Sequence, residues 1–238
     1  ATDHSILSPS PNSWLSATEI ALDRTAMTAY LAPRLTPITP SGTKWTVTDL
    51  ELLDYKPGQR GLIRYELATE PGDERQIVFG KLYADRGQLA RVDQVLHTLW
   101  ADVFGADRHY SVPQPLGVIP ELAMLVYLPA EGQFLDEVIS DERAGYAMEL
   151  TAHWLGMLHR HPIQVDKYFH LAGELVNLSA WATVVSETYP ALADLAQQAL
   201  VYLQQQAANL PLDMQTPIHK DFHYRHVLVE RGVKVLVI

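Results

Sequence analysis

The apolar positions of this chain alternate between helical and strand-like spacing, and the changes of period mark its elements. From Thr18 to Leu35, side chains at Ile20, Leu22, Met27, Tyr30 and Leu31 predict a helix with Thr18 as its N-cap. Residues 1–13, rich in Ser and Pro, precede it as a loose end, and Pro33, Pro37 and Pro40 with Ser41-Gly42 break the chain after it. Strand character begins at Trp45. Trp45 to Tyr55, Leu62 to Leu67 and Gln76 to Tyr83 predict three consecutive antiparallel strands. Turns separate them at Lys56-Pro-Gly-Gln-Arg-Gly61 and Pro71-Gly-Asp-Glu74. Asp85 to Phe104 reads as a helix with Leu89, Val92, Leu96, Leu99, Trp100 and Val103 on one stripe. Val112 to Gly117 reads as a Pro-rich turn, and Ala123 to Leu128 as a buried strand ending at Pro129-Ala-Glu-Gly132.

Beyond Gly132 helical spacing dominates. Tyr146, Leu150, Trp154, Leu155 and Leu158 make one stripe, ending at His159-Arg-His-Pro162. Leu175, Leu178, Trp181, Val184 and Val185 make a second, and Leu192, Leu195, Ala199, Leu200 and Leu203 a third. The last stretch packs His219, Asp221, His223, Arg225 and His226 into eight residues. It then turns apolar: Val227 to Val229, a polar tip Glu230-Arg-Gly232, and Val233 to Ile238, which predicts a β-hairpin. A loop crowded with ionisable groups and clamped by strands is a common seat of chemistry.

Composition narrows the classes. The apolar fraction of 47% is ordinary for a globular protein. Cysteine is absent, which excludes disulfides and thiolate metal sites and fits a reducing, cytoplasmic location. No apolar run approaches the roughly 18 residues of a membrane span, and no signal-peptide pattern opens the chain. A net charge of -10 makes nucleic acid a poor partner, and it favours an amine-bearing small molecule among substrates.

Three readings of the loop stand. His219, His223, His226 and Asp221 are zinc-ligand types, and His219 and His223 have the i, i+4 spacing of metalloprotease helices. However, Lys220 stands where those helices carry Glu, and the β-branched run that follows opposes a long helix. A structural loop would have imidazoles bonded to carbonyls and Asp221 paired with Arg225. The third reading starts from His219-Lys-Asp221, with His226 five residues after the Asp and a hairpin beyond it. This resembles the catalytic loop of the aminoglycoside phosphotransferase-like kinases. That family usually shows His-Gly-Asp, an Asn five residues after the Asp, and a hairpin leading to a metal-binding Asp. Here His226 holds the Asn position, and the sequence ends at Ile238, about where that Asp would follow. The resemblance implies either a sequence cut short or a lost metal site.

The resemblance covers roughly Trp45 to Ile238. It implies an α+β, two-lobed protein-kinase-like fold that ends early at its C-terminus. An N-terminal segment with a helix would occupy residues 1–40, a nucleotide-binding antiparallel sheet lobe 41–131, and a mainly helical lobe with the catalytic loop 132–238. Asp221 would orient or deprotonate an acceptor hydroxyl, His219 would hold the loop, and His226 would be a metal ligand. Lys81, between Phe79 and Leu82 on the third strand, would neutralise nucleotide phosphates beneath the turn carrying Lys56, Gly58 and Gly61. As a residue by itself Lys81 also fits a snorkelling lysine on a strand. Val126 and Leu128 would present backbone groups to adenine. No Glu lies between Lys81 and Glu121, so Asp93 is the candidate partner for the lysine. The implied cofactors are ATP and Mg2+, with Mn2+ better suited to an imidazole ligand. The implied activity is phosphoryl transfer to a hydroxyl of a small molecule. A nucleotide-binding pseudokinase and a His/Asp metal-dependent hydrolase are the alternatives.

Overall fold

The computed structural model describes residues 11–35, 44–70, 74–105, 109–140, 142–163, 168–210, 216–230 and 234–237. The expected connector at 37–42, the turn residues 71–73, the hairpin tip at 231–232 and Ile238 lie outside them. The chain divides into two compact units, residues 1–163 with 218–238, and residues 164–217. The first unit takes in residues on both sides of position 131, the last hairpin among them.

The first unit is α+β. In chain order it contains α1 (Pro11–Ala21), α2 (Arg24–Leu35), β1 (Lys44–Lys56), β2 (Arg60–Glu70), β3 (Arg75–Tyr83) and α3 (Arg86–Thr98). There follow β4 (Tyr110–Ser111), β5 (Pro115–Ile119), β6 (Met124–Tyr127), β7 (Gln133–Phe134), α4 (Leu135–Val138) and α5 (Ala144–Arg160). The unit closes with β8 (Val227–Glu230) and β9 (Lys234–Val237).

The helix expected from Thr18 to Leu35 is two helices. Asp23 interrupts it, its carboxylate accepting the Ala26 N–H at 2.8 Å and so capping α2. Thr18 is inside α1, where its hydroxyl donates to the Trp14 carbonyl at 2.9 Å, and it caps nothing.

Five antiparallel strands form the larger sheet in the order β1-β2-β3-β6-β5. Side chains alternate across it. One face, with Trp45, Val47, Ile63, Tyr65, Leu67, Val78, Leu82, Met124 and Val126, packs on Trp14, Met27, Leu31 and Leu35 of α1 and α2. On the opposite face Tyr83 and Leu125 pack with Leu89, Val92 and Leu96 of α3. Asp85 caps α3 by accepting the Gly87 and Gln88 N–H groups. The expected helix to Phe104 continues past Thr98 as a π-helical segment, Leu99–Phe104, closed by Gly105 N–H to the Trp100 carbonyl. Leu96 touches both the sheet-side cluster and the core below, so α3 ties the two together.

Strands β4 and β5 were not expected. The Pro-rich Val112–Gly117 segment contributes to β5, an edge strand, where a missing N–H costs no ladder bond. The two-residue β4 pairs parallel with β9 in a second sheet ordered β4-β9-β8-β7. The passage from one sheet to the other falls between Tyr127 and Gln133, and Gly132 makes it at φ 135, a backbone angle that disfavours any side chain. Beneath the second sheet α5 buries Ala147, Leu150, Thr151, Trp154 and Leu158, while Tyr146 of the expected stripe points to solvent. No helix among the described residues is long and apolar enough to cross a membrane.

The second unit is a helical pair, α6 (Leu171–Thr188) and α7 (Ala193–Ala207), joined by a short 3-10 turn at Pro190–Leu192. The stripes expected here are only partly covered. Within this pair α6 buries no residue fully, and α7 buries Leu200 and Ala207. Trp181 stays 67% exposed and Leu195 63%, whereas Leu200 is buried.

Candidate functional site

The loop from His219 to His226 is anchored by one aromatic residue in its middle. Phe222 stacks on Trp154 of α5 with ring centroids 6.0 Å apart, and Trp154 stacks on Phe104 at 4.9 Å. The indole N–H of Trp154 donates to the Ser111 carbonyl at 3.0 Å, fixing the stack to β4. With Phe222 drawn inward, its neighbours Asp221 and His223 are turned out. The Asp221 side chain is 81% exposed and that of His223 is 40% exposed. His219 sits edge-on to Phe222, with centroids 5.7 Å apart, and at the same separation from the His226 ring.

Hydrogen bonds assign the proton on two of the imidazoles. The Asp221 carbonyl, which can only accept, lies 2.6 Å from His226 Nδ1. Nδ1 of His226 is therefore the donor, and the neutral ring keeps a lone pair on Nε2. His223 is the reverse: Nδ1 accepts the Arg225 N–H at 3.1 Å, capping the 3-10 turn Tyr224–His226, so its neutral proton lies on Nε2. That Nε2 is 3.9 Å from Asp221 Oδ1, too long for a hydrogen bond. Asp221, His223 and His226 each offer a ligand atom, all within 4.8 Å of one another, and the His223 and His226 rings are 4.0 Å apart. The pairing of Asp221 with Arg225 does not form. Arg225 instead reaches Asp136 of α4 at 3.5 Å, and the His223 ring lies nearer Asp221, at 3.9 Å.

This donor set does not suit magnesium. Mg2+ demands a near-octahedral shell of oxygens, and here two of three donors are imidazole nitrogens, which suit borderline first-row transition metals.

Lys81 lies on the α3 face of the larger sheet. Its register partners are Leu62 on β2 and Leu125 on β6. Its ammonium sits 5.6 Å from the centre of the Tyr83 ring, a cation–π contact. Burial pulls its pKa below the ordinary lysine value, Arg60 pulls it further, and Asp54 partly opposes them. Asp54 is held by Arg60 at 2.9 Å. Among the described residues Lys81 makes no ion pair of its own. The carboxylate of the expected partner Asp93 stays on its own helix: Oδ1 lies 3.1 Å from His97 Nδ1, but that N–H donates to the Asp93 carbonyl at 2.9 Å, which leaves the buried Oδ1 without a hydrogen-bond partner. The result is a half-buried cation with no carboxylate at ion-pair distance among the described residues, an arrangement that favours binding an anion.

The β1–β2 turn has a full structural explanation. Gln59 N–H donates to the Lys56 carbonyl at 3.0 Å around Pro57-Gly58, and Gly58 takes φ 66, as a type II turn requires at its third position. Lys56 itself is exposed. A side chain at Gly61 would approach Leu82 Cδ1 at 3.3 Å, so this glycine lets β2 close on β3 beside Lys81. Val126 is fully buried in the core on the sheet face opposite Lys81, and Leu128 packs against the same core. The Leu128 N–H is committed to the Gln114 carbonyl at 2.9 Å.

The structure thus gathers His219, Asp221 and His226 on one loop, and Lys81 with the Lys56–Gly61 turn at one end of the larger sheet, within the same compact unit. No hydrogen bond or ion pair among the described residues joins the two groups. Arg60 and Asp54 escaped the sequence reading, although alternation along β2 and β3 sets Arg60 on the Lys81 face. No family model matches the chain, and no curated protein matches it.

Proposed function

We propose that this chain is an ATP-dependent phosphotransferase acting on a hydroxyl of a small molecule, with the lobes of a protein-kinase-like fold. The observation that carries the reading is Lys81: a half-buried lysine on the third strand of an antiparallel sheet, on the face covered by the following helix, with no carboxylate of its own. An exposed carboxylate, Asp221, ahead of a β-hairpin in the same unit supports it. In this reading the Lys81 ammonium neutralises the ATP phosphates and the Asp221 carboxylate accepts the proton of the attacking hydroxyl. The Phe222–Trp154 stack holds Asp221 toward solvent, where a substrate reaches it. Phosphoryl transfer asks the protein for little beyond such positioning and charge stabilisation. The acidic chain favours an amine-bearing acceptor.

A second reading, nucleotide binding without turnover, is favoured by the placement of Asp93, whose carboxylate lies beside His97 and makes no ion pair with Lys81. One experiment separates the two. The full chain is assayed for ATP consumption against a panel of hydroxyl metabolites, beside thermal shift with ATP. Asp221→Asn should abolish turnover and spare ATP stabilisation. Stabilisation by ATP without turnover on any acceptor selects the second reading, and no stabilisation by ATP refutes both.

A further inference from the structure

We propose that Asp221, His223 and His226 form a site for a borderline first-row transition-metal dication, zinc foremost, and not for magnesium. The geometry is close to what such an ion needs. Zinc bonds of about 2.0–2.1 Å in a tetrahedron set ligand atoms about 3.4 Å apart, and here they lie within 4.8 Å of one another on side chains with room to turn. His226 is already prepared: its Nδ1–H is bonded to the Asp221 carbonyl, the outer contact that fixes a ligating imidazole and leaves Nε2 to coordinate. Asp221 contributes a carboxylate unencumbered by Arg225, which Asp136 holds away. His223 must do more. To coordinate through Nε2 it must carry its proton on Nδ1, and it then loses the Arg225 N–H bond that caps the 224–226 turn. Ion capture therefore rearranges that turn. Three protein ligands leave one tetrahedral position for water or a substrate oxygen, the pattern of catalytic zinc sites.

The inference stands apart from the phosphotransferase reading, since it concerns the loop alone; where both hold, the ion takes the Asp221 carboxylate and inhibits transfer. The test is titration of the full chain, without nucleotide, with Zn2+, Co2+ and Mg2+. Calorimetry should show one zinc per chain, bound far more tightly than magnesium, and Co2+ should give the visible bands of a tetrahedral site. An outer contact alone is worth about 10–100-fold in metal affinity, so Asp221→Asn, His223→Ala and His226→Ala should each weaken zinc by at least about tenfold. His97→Ala, remote on α3, should not. The Arg225 amide resonance should shift on zinc addition. Equal affinity for magnesium, millimolar zinc binding insensitive to the three substitutions, or full zinc affinity in His223→Ala would each overturn the proposal. Zinc binding in a chain that never uses ATP would uphold it while removing the phosphotransferase reading. ATP turnover unaffected by zinc, with no zinc bound, would do the opposite.

Discussion

Replacing Gly132 by Ala should destabilise the first unit by about 1–5.5 kcal/mol, and the figure can be assembled from two penalties and one offset. Gly132 sits at φ 135, where a residue with a side chain costs of order 1–3 kcal/mol. Its new methyl carbon would also stand 2.8 Å from both the carbon and the oxygen of the Val229 carbonyl, and 3.0 Å from the Glu230 nitrogen. These are backbone atoms of β8 and cannot rotate away, so an overpacking penalty of roughly 1–3 kcal/mol adds to the first. The narrower conformational freedom of Ala in the unfolded chain returns about 0.4–1 kcal/mol. At roughly 2–4 °C per kcal/mol for a chain of this size, the melting temperature should fall by about 10 °C.

Two companion substitutions isolate the terms. Gly58→Ala meets a positive φ of 66 but no atom within 4 Å, so it should cost only the backbone term, about 1–2 kcal/mol. Gly145→Ala, in the first turn of α5 with open space around it, should be neutral or stabilising by up to about 1 kcal/mol. Circular dichroism melts and urea titrations of the three variants give the ranking. A melt of Gly132→Ala within a degree or two of the parent, or one no lower than that of Gly58→Ala, would refute the argument. Should strain be relieved by β7 peeling from β8, amide exchange will show lost protection confined to Gln133 and Phe134.

Two further outcomes follow from the buried ionisable groups. Lys81→Met should raise the melting temperature of the ligand-free chain while removing its stabilisation by ATP. Because the folded-state pKa of Lys81 is depressed, its penalty is complete below that depressed value and fades as pH climbs from it to 10.5, so the gap between parent and variant should narrow toward pH 10.5; a gap that widens over that climb would contradict this. Tyr65, Tyr83 and Tyr127 behave oppositely: burial raises all three, Tyr83 to about 12. The stability they contribute is whole below the unfolded tyrosine pKa of 10.0 and is lost as pH rises through the folded values, and Tyr65→Phe, removing the hydroxyl that donates to the Ala21 carbonyl, should flatten the fall of the urea midpoint above pH 10. A parent midpoint constant from pH 9 to 11 would count against it.

What was legible in the chain was whatever a local period carries. Strands β1, β2, β3 and β6 announce themselves by β-branched and aromatic residues, and α3 and α5 by apolar residues at helical spacing. Strand β4 is a two-residue bridge to a partner near the other end of the chain, and β5 begins on a proline, so neither has a period to read. The stripes on α6 and α7 misled for another reason: periodicity shows that a face is apolar, not that anything covers it, and Trp181 and Leu195 remain exposed.

The loop shows the same division at finer scale. Its donors were visible as residue types, but their roles depend on contacts that no spacing encodes. Asp136, far back on α4, takes Arg225 and so leaves Asp221 to His223. A backbone N–H from Arg225 and a backbone carbonyl from Asp221 put the protons of His223 and His226 on opposite ring nitrogens. Phe222 sets which way the loop's side chains face. Stacked on Trp154, it turns inward, and Asp221 and His223 on either side of it are turned out. The chemistry available to the loop is therefore set by an apolar side chain that takes no part in it: an outward Phe222 would turn Asp221 and His223 toward the core, where neither a hydroxyl nor a metal ion could reach them.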